Sequence, residues 1–332
     1  MCTLDITKVG TLGGPGDSVL LTTETMITVR SDGRFIVAPT SRSGEAALYD
    51  SLNGVGRSYG RRGEGPGENG RILNVLPWPG DSVLVVGFGR FTILGGDRGA
   101  GRTIRLERTS ASDRTVALPA DGVIVRNYTY PPDREFVVFN VDGSIRTEMG
   151  YTWNSGFRGD IYQALGELGP AQRPHSFWSA PLRYRHVAEL WDARTGASLR
   201  TLALNTPWYT PYDSASFYRF MLSGGDEASA PPPFVVGVRE AVDSVLWLVY
   251  DTPARNWSGR SDTMPPDRRR PRREAYDAVI ELVDPVSGDE LLSTWVNLPL
   301  ARLVNDSLLA DQRQTSDGFW VYDIYKAKLR RH

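Results

Sequence analysis

The stretch Asp243-Ser244-Val245-Leu246-Trp247-Leu248-Val249-Tyr250 decides the reading of this chain, because its pattern comes back. A two-residue turn opens it and an unbroken apolar run follows. The same order stands at Asp32-Gly33 before Phe35-Ile36-Val37, at Asp81-Ser82 before Val83-Leu84-Val85-Val86, and at Asp121-Gly122 before Val123-Ile124-Val125. It returns at Asp306-Ser307 before Leu308-Leu309-Ala310. Asp folds its side chain onto nearby backbone N–H groups, and Gly tolerates positive φ, so both residues suit tight hairpins. Short apolar runs bounded by such turns read as strands buried on both faces.

The second turn residues lie 49, 40, 122 and 63 positions apart. The 122-residue step is twice 61, which predicts one masked unit and hence six units of about 55 residues. A second element accompanies several units: an apolar strand, an Asp, then a Gly four positions on. It stands at Asp50…Gly54, Asp192…Gly196 and Asp284…Gly288, with Asp142-Gly143 a shorter form. Each precedes another strand, as an outer hairpin would, and Asp192 falls in the masked unit. Four-stranded units repeated around an axis are propeller blades. The expected fold is therefore all-β, a six-bladed β-propeller forming one domain over 1–332. The last unit runs out at three strands (299–304, 307–311 and 318–325), and a strand at 5–12 has no unit of its own. Joining the N-terminal strand to the last blade would close the ring and satisfy both edges. One helix is expected, at 160–168, from Ile161, Leu165 and Leu168 on one face and the Gly169-Pro170 stop.

Composition narrows the function. The 332 residues carry 38 basic and 39 acidic side chains, which argues against a general nucleic-acid binder. The single cysteine, Cys2, excludes an internal disulfide and a cysteine-built metal site. No run approaches the ~20 apolar residues of a membrane-spanning helix, and no signal peptide is visible. Taken literally the chain is cytoplasmic. Cys2 also admits lipidation, which would place it outside the cytoplasm, on a membrane.

At Gly60-Arg61-Arg62-Gly63-Glu64-Gly65-Pro66-Gly67-Glu68-Asn69 the chain resembles the loop between the first two blades of bacterial six-bladed β-propellers related to the NHL-repeat group. The Asp-turn strand starts and Asp-x-x-x-Gly hairpins are similar to that family too. The resemblance implies a propeller and, since many members are exported or lipid-anchored, a periplasmic or membrane-associated location.

Motifs with chemical meaning are few. Residues 60–70 lack the Gly-Lys-Ser/Thr of a phosphate loop and lead to a strand, so they read as an inter-blade turn. Gly56-Arg57-Ser58-Tyr59-Gly60 matches a nucleophile elbow, but no helix follows. His175, His186 and the terminal His332 are too few for the zinc channel of propellers resembling amidating lyases; His186 reads as a strand residue. Propellers resembling gluconolactonases hold calcium through Glu, Asn and Asp, residue types common here. Three inserts stand out, at 151–185, 205–233 and 251–274. The first two carry Trp153, Trp178, Trp208, Tyr209, Tyr212, Phe217 and Tyr218; the third carries Arg268, Arg269, Arg270, Arg272 and Arg273. Aromatic anchors and arginine forks are interface chemistry, and the alternative is that the aromatics cover the blade beneath.

The expectation favoured is a non-enzymatic, protein-binding scaffold without cofactor or metal, an extrinsic subunit docked on a membrane complex such as an electron-transfer or photosynthetic one. The alternative is a divalent-cation-dependent hydrolase or lyase, lactonase-like, with its site in the axial channel. Carbohydrate recognition by the aromatics is a third reading.

Overall fold

The computed structural model describes residues 2–40, 44–108, 114–118, 122–126, 134–150, 166–181, 186–204, 206, 208–209, 233–255, 257 and 276–332. A first strand, β1 (Cys2–Leu12), precedes five complete blades. Blade 1 holds β2 (Thr25–Val29), β3 (Phe35–Pro39), β4 (Ala46–Tyr49) and β5 (Arg57–Tyr59). A link carrying β6 (Arg61–Arg62) and β7 (Glu68–Asn69) leads to blade 2, with β8 (Ile72–Trp78), β9 (Ser82–Gly87), β10 (Arg90–Gly95) and β11 (Ala100–Arg105). Blade 3 is β12 (Thr115–Leu118), β13 (Gly122–Arg126), β14 (Phe136–Phe139) and β15 (Ile145–Met149). Blade 4 is β16 (Gly166–Pro170), β17 (Ser176–Pro181), β18 (Val187–Asp192) and β19 (Ser198–Ala203). Blade 5 is β20 (Phe234–Glu240), β21 (Leu246–Pro253), β22 (Tyr276–Val283) and β23 (Glu290–Val296). The chain ends in β24 (Arg302–Leu303), β25 (Leu308–Gln314) and β26 (Trp320–Arg331).

Each blade is an antiparallel meander, and the sixth is ordered β1-β26-β25-β24. The N-terminal strand thus closes the ring, from Cys2 opposite Arg331 to Leu12 opposite Tyr322. Blade 1's outer turn clasps it: Thr11 N donates to Asn53 Oδ1 (2.9 Å) and Asn53 N to Thr11 O (2.9 Å).

The apolar runs are unbroken because each blade is sandwiched. Successive side chains of a strand point to opposite faces, so Phe35 and Val37 pack towards blade 6 while Ile36 and Ala38 pack towards blade 2. The buried side chains sort into six clusters, one at each blade boundary. A strand with one solvated face would alternate apolar and polar; these have no solvated face.

The masked unit is blade 4, and its first turn explains the masking. Where blade 1 has Gly33 (φ 83°) and blade 5 has Ser244 (φ 56°), blade 4 has His175 (φ 61°) after Pro174, so the left-handed residue carries no recognisable signature. Two expectations fail here. Gly166–Pro170 is the inner strand of blade 4, not the end of a helix; within 160–168, residues 160–165 lie outside the described set. The insert expected at 151–185 is likewise too wide, since both β16 and β17 fall inside it.

In an antiparallel meander the turns after the first and third strands fall on one face of the disc, and all other links on the opposite face. The first face holds the Asp turns. Asp192 Oδ1 accepts from Arg194 N and Thr195 N (both 2.8 Å), and Asp284 Oδ1 from Val286 N (2.7 Å) and Ser287 N (2.9 Å). Those backbone N–H groups hold both carboxyls below the usual range. The opposite face receives β19 and β21 at their C-terminal ends and β16, β20 and β22 at their starts. The strand ends flanking all three expected inserts therefore share it.

Candidate functional site

Each blade lends its first strand to the wall of the axis, so the channel is built from six separated stretches of sequence. Together they enclose a cavity of about 1290 Å³. Met26, Leu76, Ala117, Leu168 and Val236 give it apolar stretches. Its charged lining is uneven: Arg71, Arg114, Arg239, Arg302 and Arg313 against Glu24 and Glu167.

Most of these arginines are backed by a carboxylate. Arg302 takes both oxygens of Asp251, NH1 to Oδ1 at 3.1 Å and NH2 to Oδ2 at 3.2 Å. Arg239 donates from Nε to Asp306. Arg313 donates to Asp323, from Nε to Oδ2 at 2.8 Å. Asp251, Asp306 and Asp323 are not among the lining residues, so a molecule on the axis meets the guanidinium before the carboxylate. Arg71 lies at the mouth, 5.3 Å from the Phe88 ring. Glu167 differs in that the carboxylate itself lines the cavity, with Arg114 Nε 2.9 Å from its Oε1.

Calcium in the manner of lactonase-like propellers finds no fitting donor set here. Among the described residues no three His, Cys, Asp or Glu side chains are grouped to hold a metal ion. The asparagine of the channel wall is also engaged: Asn74 Oδ1 accepts from Val75 N (2.8 Å) and Nδ2 donates to Thr115 Oγ1 (2.9 Å).

A second polar centre lies off the axis, between blades 4 and 5. The buried Glu281 accepts from Thr206 Oγ1 (2.6 Å) and from Tyr250 Oη (2.8 Å). His186 Nε2 is 3.2 Å from Tyr250 Oη and 3.7 Å from Glu281 Oε2, and its ring stacks on Tyr209 at 4.0 Å. Burial pushes the Glu281 carboxyl up, but these partners outweigh it and hold it below the usual range. Burial, then the Glu281 charge, drives the Tyr250 phenol far upward. His186 stands just ahead of β18 and belongs to this cluster, not to a channel metal site.

The expected partner-binding aromatics divide. Trp178 is 0% exposed, its indole N–H on Glu240 Oε2 at 2.8 Å, and Tyr209 is 6% exposed under the His186 ring. Both cover the blade beneath. Trp208 is half-buried against Tyr250 (5.0 Å) with Nε1 on Ser293 Oγ at 3.2 Å. Trp153, Tyr212, Phe217, Tyr218, Arg268, Arg269, Arg270, Arg272 and Arg273 lie outside the described residues. Cys2 is half-buried at the start of β1.

The two motif matches are structural. In the 60–69 link, Arg61–Arg62 pairs in parallel with Glu68–Asn69, and Arg90 holds Glu64 at 2.8 Å. Ser58 lies within β5, with no helix behind it to make an elbow. The channel set was missed in the sequence because its members sit tens of residues apart and form no motif. The one available signal was a charged residue at or beside each inner strand.

No protein-family model and no curated protein sequence matches the chain. The six-bladed propeller that the resemblance to NHL-repeat proteins implied is present, but no comparison ties the chain to that group. Among solved structures, the chain is similar to a luciferin-regenerating enzyme at 11% identity and a TM-score of 0.50, over 98% of this chain and 95% of that one. At that identity the likeness establishes the fold. The neighbour's name is nonetheless an enzyme's, and it runs against the non-enzymatic scaffold expected from the inserts. The scaffold expectation is therefore not carried further. No helix among the described residues is long and apolar enough to cross a membrane.

Proposed function

We propose that the axial channel is the site of a small-molecule enzyme of the hydrolase or lyase class. The observation that carries this reading is the pairing of a wall carboxylate, Glu167, with a ring of arginines around a cavity of about 1290 Å³. Ligand pockets of ~300–1,000 Å³ suffice for drug-sized molecules, so the channel has room for a substrate and its water. A carboxylate within reach of bound substrate can take or give a proton, typically for ~10²–10⁴-fold in rate. Guanidinium groups aimed at developing negative charge stabilise it best where water is excluded. Glu167 is the proton-transfer group in this reading, Arg114 fixes its position, and the other arginines face the charge. No step uses a metal, since no group of metal-holding side chains is found among the described residues. The structural neighbour adds support only through its being named an enzyme.

The test is a hydrolysis screen of aryl esters and small lactones, followed by product release for the wild type, Glu167→Gln and Glu24→Gln. Turnover that drops at least ~100-fold in Glu167→Gln with the fold intact supports the reading. Turnover indifferent to both substitutions, or absent over the whole panel, refutes it.

A further inference from the structure

Arg302 is held end-on by a buried carboxylate, and the manner of its holding leaves a usable edge. The two oxygens of Asp251 take NH1 and NH2 at 3.1 and 3.2 Å, which occupies the end-on fork of the guanidinium. NH1 spends its other hydrogen on Ala301 O at 2.7 Å. Of the five N–H donors of a guanidinium, Nε–H and the outer hydrogen of NH2 remain. They lie side by side and form the second bidentate edge, which matches the spacing of two oxygens on a carboxylate or phosphate. Among the described residues no protein acceptor takes them.

Burial shows which side is front. Asp251 is 0% exposed while Arg302 keeps 34% of its side chain exposed and lines the cavity. The carboxylate therefore fixes the guanidinium from behind, and an Arg fixed in this way loses little rotamer freedom when it binds a second anion. Arg71 and Arg114 line the same cavity. Met26 and Leu76 also line it and offer apolar surface for the body of a ligand.

We infer that the channel takes a small organic anion, a carboxylate or a phosphate ester, whose two oxygens sit on the Nε–NH2 edge of Arg302 with Asp251 as the positioning residue. This inference deepens the channel reading above and rests on it. The experiment is isothermal titration of the full chain at low ionic strength with benzoate, phenyl phosphate and neutral benzamide, on the wild type, Arg302→Lys and Asp251→Asn. Benzoate or phenyl phosphate is expected to bind at least tenfold more tightly than benzamide; which of the two wins tells carboxylate from phosphate. Arg302→Lys keeps the charge but has no fork, and should erase that advantage. Asp251→Asn removes a negative charge near the site, so simple electrostatics would tighten the anions; positioning by Asp251 requires that they weaken. Circular dichroism melts establish that each variant is folded, and should Asp251→Asn fail to fold, Arg302→Lys decides. The inference is overturned if Arg302→Lys retains the tenfold preference, or if benzamide binds as well as the anions, an outcome that leaves the channel site standing. Failure of all three probes on the wild type overturns the inference and removes support from the channel site as well.

Discussion

Asp323 is the clasp of the ring, and its protonation should loosen the closure. Three elements meet on its carboxylate: β1 through Lys8 Nζ (2.9 Å) and Thr11 Oγ1 (2.8 Å), β25 through Arg313 Nε (2.8 Å), and its own strand, β26. Burial raises the affinity of this carboxyl for a proton, yet the hydrogen bonds from Arg313, Lys8 and Thr11 outweigh it and bring the pKa to about 2. The folded value lies below the unfolded one of 3.8. Stability from this group is therefore fully present above pH ~4 and lost as pH falls towards 2. A difference of nearly two pKa units at ~1.36 kcal/mol each gives on the order of 2 kcal/mol, of which about half is gone by pH 3. Urea unfolding of wild type and Asp323→Asn at pH 7, 5, 4 and 3 reads this directly. Asp323→Asn should cost about 2 kcal/mol at pH 7, and the gap should narrow from pH 4 to pH 3. A gap that stays constant down to pH 3 would mean that the clasp works by packing instead of charge. No gap at pH 7 would mean that β1 is not held here.

Two further perturbations probe the packing that carries the ring. Leu12, 0% exposed at the end of β1, packs among Tyr49, Tyr322 and Ile324, whereas Val9 on the same strand is 40% exposed. Leu12→Ala should cost about 3 kcal/mol, from ~0.8 kcal/mol per buried carbon plus the cavity left behind, and Val9→Ala below ~0.5 kcal/mol; equal costs in chemical denaturation would place β1 outside the core. Tyr250→Phe takes a donor from the buried Glu281 carboxylate and should cost about 2 kcal/mol by the same measurement, while a loss below ~0.5 kcal/mol would show that the His186 and Thr206 contacts suffice without it.

What the chain discloses about its fold follows from what is local. A turn such as Asp32-Gly33 and the apolar run after it lie within a few residues, so the blade pattern and even the closing strand could be read. Blade 4 resisted because its turn puts His175 where a glycine would announce itself, and because Gly166-Glu167-Leu168-Gly169-Pro170 is a poor strand by propensity. Tertiary contact overrides that propensity: a Cβ on Gly169 would come within 1.7 Å of Val238 O, so the glycine is there to let blades 4 and 5 approach. The apolar spacing Ile161, Leu165, Leu168 mimicked a helix face, but Leu168 belongs to a strand. Trp178 and Tyr209 read equally as interface anchors or as cover for the blade beneath, because exposure cannot be seen in a sequence; the residues they contact, Glu240 and His186, are 62 and 23 positions away. The channel was the least legible part, since it takes Glu24, Arg71, Arg114, Glu167, Arg239 and Arg302 from six different blades or the links before them.

The ion pairs of the channel also join the blades that build it. Arg302 of blade 6 holds Asp251 of blade 5, Arg239 of blade 5 holds Asp306 in the turn between β24 and β25, and Arg114 beside β12 meets Glu167 of blade 4. A buried or half-buried ion pair is seldom the most stable way to fill such a boundary, because desolvation offsets much of the attraction; a well-packed apolar pair of similar volume does as well or better. Six apolar clusters already hold the blade boundaries together. Guanidiniums at the wall, with most of their carboxylates behind, therefore need a reason other than stability, and the small organic anion proposed for the channel would supply one. The division between the two faces agrees with this. Short Asp-capped turns fix one face, and the first strands of the blades begin on the other, where Arg71, Arg114 and Arg302 stand. The strands set the position of the charges, and the turns that carry no charge of the channel are free to differ between blades.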